Sequence, residues 1–364
     1  MSHRFLYLTC SLSAALFLAG CTALGPSTIS ASRPAYNQAV QRSNDQELLL
    51  NLVRILYRDT TYFTTVERIA ASYEFNRSVS GSLNLQSAAD AVTRTLNIGD
   101  ATVALNEQPT VFYAPVEGEK FVRQMLTPMN PDLLLLLVKS GWSLDRVFSL
   151  GVQEMNGLRN APSATGPTPA LEPIFRDFKE AVRLMRFLQA RGLIELGKQS
   201  GGEGLELRFN ASEEFFQEAL RIKKILGLDV GGNAFAVVAG SDGQTPGDRI
   251  AISTRPLMSA LGYLAQGIQA PEPDLEAGRV QRTRRKDGQS FDWQELLDGV
   301  FLVRSSLEPP QNSSVAVQYR GSYFYISDSD LDSKSTFVLL NQLMALNGYY
   351  KELFVKQLSE KEIN

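Results

Sequence analysis

Histidine and cysteine, which supply many nucleophile–base pairs and most zinc ligands, are confined to the first 21 residues of the chain. The sequence contains one histidine, His3, and two cysteines, Cys10 and Cys21. A Ser-His-Asp triad, a Cys-His pair or a zinc site needs at least one of these side chains. What happens to the first 21 residues therefore decides which chemistry is open to the rest of the chain.

Residues 1–20 have the layout of a secretory signal peptide. A short polar start with Arg4 is followed by an apolar stretch rich in Leu, Ala and Phe, and small residues close it. Leu18-Ala19-Gly20-Cys21 resembles the lipobox of bacterial lipoproteins. The resemblance implies cleavage before Cys21, a diacylglycerol on its sulfur and an acyl chain on its new amino group. The alternatives are an ordinary cleaved leader with an incidental cysteine, or an uncleaved anchor.

The residue after the lipobox cysteine indicates in which membrane a bacterial lipoprotein resides. In enteric bacteria an Asp at this position retains a lipoprotein in the inner membrane, whereas this chain has Thr22. The resemblance therefore implies a protein attached to outer-membrane lipid through acylated Cys21 and facing the periplasm. We expect residues 21–43, which are small, polar and marked by proline, to form a flexible tether.

Loss of the leader would remove His3 and Cys10, and acylation would consume the thiol of Cys21. The remaining chain would then contain no histidine and no free thiol, which excludes His- or Cys-based catalysis, zinc or haem sites and internal disulfides. Carboxylate chemistry, Ser-Lys nucleophiles and oxygen-ligated cations remain open. We predict a protein without a cofactor and without enzymatic activity.

Three alternating carboxylates form the one pattern that resembles a metal site. Asp328, Asp330 and Asp332 resemble the start of an EF-hand loop. The match stops there, because the sixth position is Ser333 instead of Gly and the twelfth is Leu339 instead of Glu. The simpler interpretation is a turn whose last Asp or Ser caps the following helix.

The charge balance argues against nucleic acid as a partner. The net charge is −3, and the densest basic stretch is RVQRTRRKDG, residues 279–288. Within the predicted surface loop 270–290, these cations are either solvated or available to anionic lipid headgroups or an acidic partner.

An unusually long period-two alternation begins at Ile69. Apolar and polar residues alternate through IAASYEFNRSVSGSLNLQ, well beyond the usual strand of about 5 to 6 residues. A second extended region runs from Thr95 to Tyr113 and changes phase near Gly99-Asp100, as a β-bulge would cause. We predict one long β-hairpin near residues 66–113.

Two interpretations of this hairpin stay open. It either packs on helices of its own domain or of a neighbour, or it enters the outer membrane with further copies to form a pore. Arg77 lies within the apolar row, and an arginine at the bilayer centre costs about 2–4 kcal/mol. Even in the first interpretation, a hairpin of this length suits contact between subunits.

The remaining periodicity predicts an α+β fold of helices and mostly antiparallel hairpins. We predict a helix, hairpin and helix domain at 44–160, a Pro-rich linker at 161–173 and a second α+β domain at 174–364. Local signals predict helices at 119–126, 131–139 and 143–157, and a hairpin that turns at Arg320-Gly321.

The body of the chain resembles uncharacterised lipoproteins of Gram-negative bacteria. The segments that carry the resemblance are NDQELLLNLVRILYRDT, VKSGWSLDRVFSLGVQEMNGLRNAP and YRGSYFYISDSDLDSKSTF. We expect a non-enzymatic scaffold or accessory subunit that associates with itself or with another envelope protein. The alternatives are an outer-membrane pore or secretion-channel subunit and a carboxylate-dependent cell-wall hydrolase.

Overall fold

The computed structural model describes residues 24–79, 93–98, 101–116, 118–199, 204–210, 213–240 and 247–361. Helices and largely antiparallel sheets confirm the predicted α+β class. The chain divides into two compact units. One is Tyr62–Gly118, and the other combines Met1–Thr61 with Glu119–Asn364.

The smaller unit is a three-stranded antiparallel sheet. Its strands are β1 Thr64–Val79, β2 Thr93–Ile98 and β3 Ala101–Pro115, in the order β1-β3-β2. The predicted long pairing is present, since β1 and β3 pair from Thr64↔Pro115 to Val79↔Ala101. The second predicted strand is two strands, β2 and β3, which pair antiparallel from Thr93↔Asn106 to Ile98↔Ala101. The bulge predicted at Gly99-Asp100 and the strand beyond Val79 lie outside the described residues.

The larger unit begins with one long helix, α1 Leu24–Leu56. Its apolar face is buried in its C-terminal turns, where Leu49, Leu52 and Val53 are fully covered. The tether predicted for 21–43 is helical from Leu24 onward. No glycine interrupts residues 26–43, and most residues after Pro34 are compatible with a helix, so the segment continues into the buried turns without a break.

A six-stranded sheet forms the centre of this unit, in the order β5-β4-β9-β8-β7-β6. All neighbours are antiparallel except β8 and β9, which are parallel. The strands are β4 Val152–Met155, β5 Leu158–Arg159, β6 Ile194–Lys198, β7 Leu205–Phe209, β8 Ala234–Ala239 and β9 Arg249–Thr254.

The predicted linker at 161–173 does not separate two domains, because this sheet extends across it. Strands from before and after that segment share one sheet. The segment itself is packed, since Ala161 and Ala164 are buried and Pro162–Thr165 is a 3₁₀ turn. Its backbone lies so close to Gly262 that a Cβ there would stand 2.8 Å from the Thr165 carbonyl oxygen. Proline content thus marks a compact turn rather than a domain boundary.

Helices cover the sheet and connect its strands. They are α2 Glu119–Leu126, α3 Pro131–Lys139, α4 Leu144–Gly151, α5 Arg176–Gln189, α6 Phe216–Ile225, α7 Leu257–Ala265, α8 Glu272–Glu276 and α9 Gln294–Leu297. The bounds predicted for α2 and α3 are confirmed. The helix predicted for 143–157 ends at Gly151, because Val152 pairs with Thr254 and the chain continues as β4.

A third sheet, in the order β10-β12-β11, leads to the last helix. Its strands are β10 Arg304–Ser306, β11 Ser313–Tyr319 and β12 Ser322–Ser327, and the last helix is α10 Leu331–Lys361. The hairpin predicted at Arg320-Gly321 is confirmed. Both residues have positive φ, 49° and 85°, as a tight hairpin turn requires.

Candidate assembly surface

The predicted lipidation site lies outside the described residues, as do Cys10 and the rest of the leader. The described chain begins at Leu24, three positions after Cys21. Lipidation of Cys21 therefore stays a prediction from the sequence.

The three aspartates of the EF-hand-like stretch engage three different partners. Asp330 caps α10, accepting hydrogen bonds from the Ser333 amide at 3.0 Å and the Ser333 hydroxyl at 2.7 Å. Asp332 pairs with Arg146 at 2.6 Å, and Asp328 pairs with Lys334 at 2.6 Å. Among the residues that the structure describes, no group of three or more His, Cys, Asp or Glu is placed to hold a metal ion. The cap is therefore Asp330, the middle aspartate, and not the last Asp or Ser as predicted, because α10 begins at Leu331.

The arginines of the basic stretch are engaged within the chain. Arg279 pairs with Asp274 at 2.6 Å, Arg282 pairs with Glu272, and Arg285 pairs with Glu295. The segment is also less loop-like than predicted, since it contains α8 and buries Val280 and Thr283. Three of the five cations are therefore compensated by carboxylates, whereas Arg284 donates to the Gly288 carbonyl and forms no ion pair with a described residue.

The ribbon formed by β1 and β3 offers a candidate surface of a different kind, an open sheet edge. The two strands contain 16 and 15 residues, which at about 3.3 Å per residue gives a length of roughly 50 Å. β2 covers β3 only from Ala101 to Asn106. Among the described strands, none pairs with the outer edge of β1 or with the outer edge of β3 beyond Asn106. Such uncovered edges are templates for pairing with another chain.

Pro109 distinguishes these two edges. It lies opposite Ala71, on the part of β3 that β2 does not cover. Proline lacks the amide hydrogen and is found in sheets with its nitrogen facing away from the ladder. We therefore expect Ala71↔Pro109 to be a non-hydrogen-bonded pair, so that the Ala71 N–H points to the outer edge of β1. β1 contains no proline, so its edge keeps every outward donor.

Apolar side chains near the Pro115 end of β3 are exposed on both faces of the ribbon. Val111 and Tyr113 occupy one face and Phe112 the other, with exposed fractions of 36%, 60% and 41%. Neither face of this stretch is therefore closed by a complete core. A long open edge beside exposed aromatic residues is typical of a surface that a second chain covers.

The larger unit contains a polar cluster that sequence reasoning missed. The Tyr319 hydroxyl donates to the Asp59 carboxylate at 2.6 Å, and Arg320 donates to the same oxygen at 2.8 Å. These contacts, the Tyr319 bond first, lower the pKa of Asp59. The Tyr57 hydroxyl donates to Asp274. The cluster attaches the end of α1 to the β11–β12 turn. The only signal available for it was the predicted turn at Arg320-Gly321.

No described helix combines the length and the apolar character that a membrane crossing requires. The sequence matches no known family model, and neither a curated protein nor a solved structure shows a significant match to the chain.

Proposed function

We propose that this protein is a lipid-anchored, non-enzymatic scaffold of the bacterial envelope that assembles with copies of itself through the outer edge of β1. The observation that carries the proposal is the β1 edge, which runs for 16 residues without proline and without a neighbouring strand in the described structure. Main-chain pairing along such an edge supplies affinity, and alternate side chains supply specificity. Another envelope protein with an exposed strand is the alternative occupant.

The anchor rests on the lipobox at Leu18-Ala19-Gly20-Cys21. Acylated Cys21 would hold the chain on outer-membrane lipid, with the body in the periplasm. The long helix α1 supports this role, since 33 residues at 1.5 Å each give about 50 Å of helix starting three residues after the cysteine. A helix connects the body to the anchor more rigidly than a flexible tether would.

The absence of enzymatic activity rests on the sequence. No histidine or cysteine follows Cys21, so the common nucleophile and base pairs are missing from the remaining chain. The cell-wall hydrolase alternative would require carboxylates alone, and release of muropeptides by the purified protein would establish it.

A pair of proline substitutions tests the edge. Ala71→Pro should remove one outward donor of β1 and leave the β1–β3 ladder intact, whereas Ser72→Pro should remove a donor that points toward β3. The mass of the lipidated protein in mild detergent, measured by size exclusion with light scattering, reports the assembly. We expect a discrete oligomer for the wild type and a monomer for Ala71→Pro with unchanged circular dichroism.

Ser72→Pro is the matched control, because it should perturb the fold of the smaller unit and so change circular dichroism as well as mass. A monomeric wild-type protein would overturn self-association. An Ala71→Pro protein that keeps the wild-type mass would show that the edge is not the contact.

A pore is the second candidate, favoured by strand length. Both β1 and β3 exceed the 9–11 residues that a tilted strand needs to cross a bilayer. Ion conductance of the purified oligomer in a planar bilayer, lost in Ala71→Pro, would favour the pore. An oligomer without conductance would favour the scaffold.

A further inference from the structure

A cleft of about 560 Å³ lies along α5 in the larger unit. This volume is within the range of pockets that hold small molecules, about 300–1,000 Å³. Cations outnumber acids among its lining residues. The cations are Arg146, Lys179, Arg183, Arg186 and Arg191, and the acids are Asp145, Asp298 and Asp332.

Two of the three acids are already neutralised. Asp332 pairs with Arg146 at 2.6 Å, and Asp145 pairs with Arg186 at 3.2 Å. The remaining cations, Lys179, Arg183 and Arg191, therefore face Asp298 as the one remaining acid in the lining. The unpaired charge of the cleft is positive.

Each remaining cation keeps donors available. The exposed Arg183 forms no ion pair or hydrogen bond with any residue that the structure describes. Arg191 stacks on Phe187 at 3.6 Å from the ring centre and uses one nitrogen to reach a backbone carbonyl. Lys179 donates to the Glu295 carbonyl at 2.7 Å. Burial lowers the pKa of Lys179, and although Asp298 opposes this shift, the charge of Arg183 adds to it.

A buried arginine behind the cleft adds to this positive field. Arg255 is fully buried, forms no ion pair with a described carboxylate, and lies 4.1 Å from the centre of the Tyr263 ring. Within the described part of the chain, its guanidinium donates only to the carbonyls of Ser149 at 3.4 Å and Asn160 at 2.5 Å, and its Nε has no hydrogen-bond partner. Ser149, Asn160 and Tyr263 all line the cleft. In this low-dielectric surrounding the charge is screened little.

We propose that this cleft binds a phosphate group carried by a small organic molecule or by a phospholipid headgroup. Guanidinium groups bind phosphate oxygens in a planar, bidentate geometry, which makes arginine-rich clefts well suited to this anion. Phe178, Val182 and Leu296 also line the cleft and provide an apolar wall for the body of the ligand. This site is separate from the β1 edge, and its existence does not depend on self-association.

Isothermal titration of the full-length lipidated protein in mild detergent tests the site. The probes are inorganic pyrophosphate and dihexanoyl phosphatidylglycerol, with zwitterionic dihexanoyl phosphatidylcholine for comparison. Binding of pyrophosphate alone would indicate a soluble phosphate ligand, binding of the anionic lipid alone would indicate a headgroup, and binding of both supports the shared chemistry. Failure of both to bind would overturn the proposal.

Charge substitutions locate the binding. Arg183→Glu should weaken binding by tenfold or more, and the milder Arg183→Gln by several-fold. Neither should change thermal unfolding, since Arg183 is exposed and forms no ion pair or hydrogen bond with a described residue. Arg304→Glu is the matched control, because Arg304 is an exposed arginine of β10 outside the cleft. It should leave affinity within twofold. Equal weakening by Arg183→Glu and Arg304→Glu would show a non-specific charge effect and overturn the site.

Discussion

The Tyr319 hydroxyl donates a 2.6 Å hydrogen bond to the carboxylate of Asp59, 260 positions earlier in the chain. Arg320 reaches the same oxygen and lies 5.0 Å from the centre of the Tyr57 ring. The β11–β12 turn, through Tyr319 and Arg320, thus holds the residues that follow α1. Such a contact contributes to the stability of the larger unit as a whole rather than to one element.

Removing this hydroxyl should destabilise the larger unit modestly. Tyr319→Phe deletes a hydrogen bond to a charged acceptor that is partly exposed, so we expect a loss of about 1 kcal/mol in the free energy of unfolding. Tyr323→Phe in the same hairpin is the control, since its hydroxyl has no hydrogen-bond partner among the described residues. Urea denaturation followed by circular dichroism measures both. Equal losses in the two variants would show that the Asp59 bond contributes nothing.

The same contact predicts a pH dependence. The Tyr319 bond and Arg320 lower the pKa of Asp59 in the folded state, so the stabilising contribution is full above the ordinary Asp pKa of about 3.9. It disappears as the pH falls through the lower folded pKa, because the carboxyl is then protonated in both states. Asp59→Asn should therefore be less stable than wild type at pH 6, and the difference should shrink below about pH 4. A difference independent of pH between 3 and 6 would contradict this.

How far the sequence predicted the fold depended on how local each signal was. The bounds of α2 and α3 were predicted because their apolar spacing and the Asn130 cap are local. The β11–β12 turn was predicted because Arg320-Gly321 separates two alternating strands. By contrast, β4 was assigned to a helix, because its pairing partner β9 lies about 100 residues later and leaves no mark on the sequence of β4.

The candidate surface was predicted in part. Alternation was sufficient to expect the pairing of β1 and β3, since period-two patterning is visible within each strand. Which part of β3 remains uncovered depends on where β2 begins, because Thr93 lies opposite Asn106 and no other described strand covers β3 beyond that pair. The cleft along α5 gave no sequence signal, because its charges come from α4, α5, the segment after α9 and the start of α10.

Close packing at Gly262 predicts that Gly262→Ala lowers stability, whereas helix propensity alone predicts that it raises stability. In an exposed helix, Gly→Ala stabilises by up to about 1 kcal/mol. In α7 the new Cβ would stand 2.8 Å from the Thr165 carbonyl oxygen, so backbone must move, and we expect Gly262→Ala to lose about 2 kcal/mol. Gly197→Ala is the control, because its nearest atom would be a side-chain oxygen at the ordinary distance of 3.8 Å. A stabilised Gly262→Ala protein, measured by thermal unfolding, would refute the close contact.

The proposed anchor predicts a difference between the two cysteines. Cys21→Ala should abolish acylation and move the protein from the outer-membrane fraction to soluble or unprocessed forms, because the acylated residue is lost. Cys10→Ala should leave fractionation and mass unchanged, since Cys10 lies in the predicted leader. Membrane fractionation with intact-mass analysis distinguishes them. If Cys21→Ala still partitions fully with the outer membrane, something other than lipidation holds the protein there.

Excision of the ribbon tests whether assembly and folding are separable. Thr64 pairs with Pro115, and the Val116 amide donates to the Phe63 carbonyl at 2.9 Å, so the two ends of the ribbon are close in space. Replacing residues 64–115 by a short Gly-Ser loop should therefore leave the larger unit folded, because its core lies in the other compact unit. We expect an unfolding transition close to that of the wild type and a monomeric mass in detergent. A folded variant that still assembles would place the subunit contact on the larger unit, and a variant that no longer unfolds cooperatively would show that the ribbon stabilises the body.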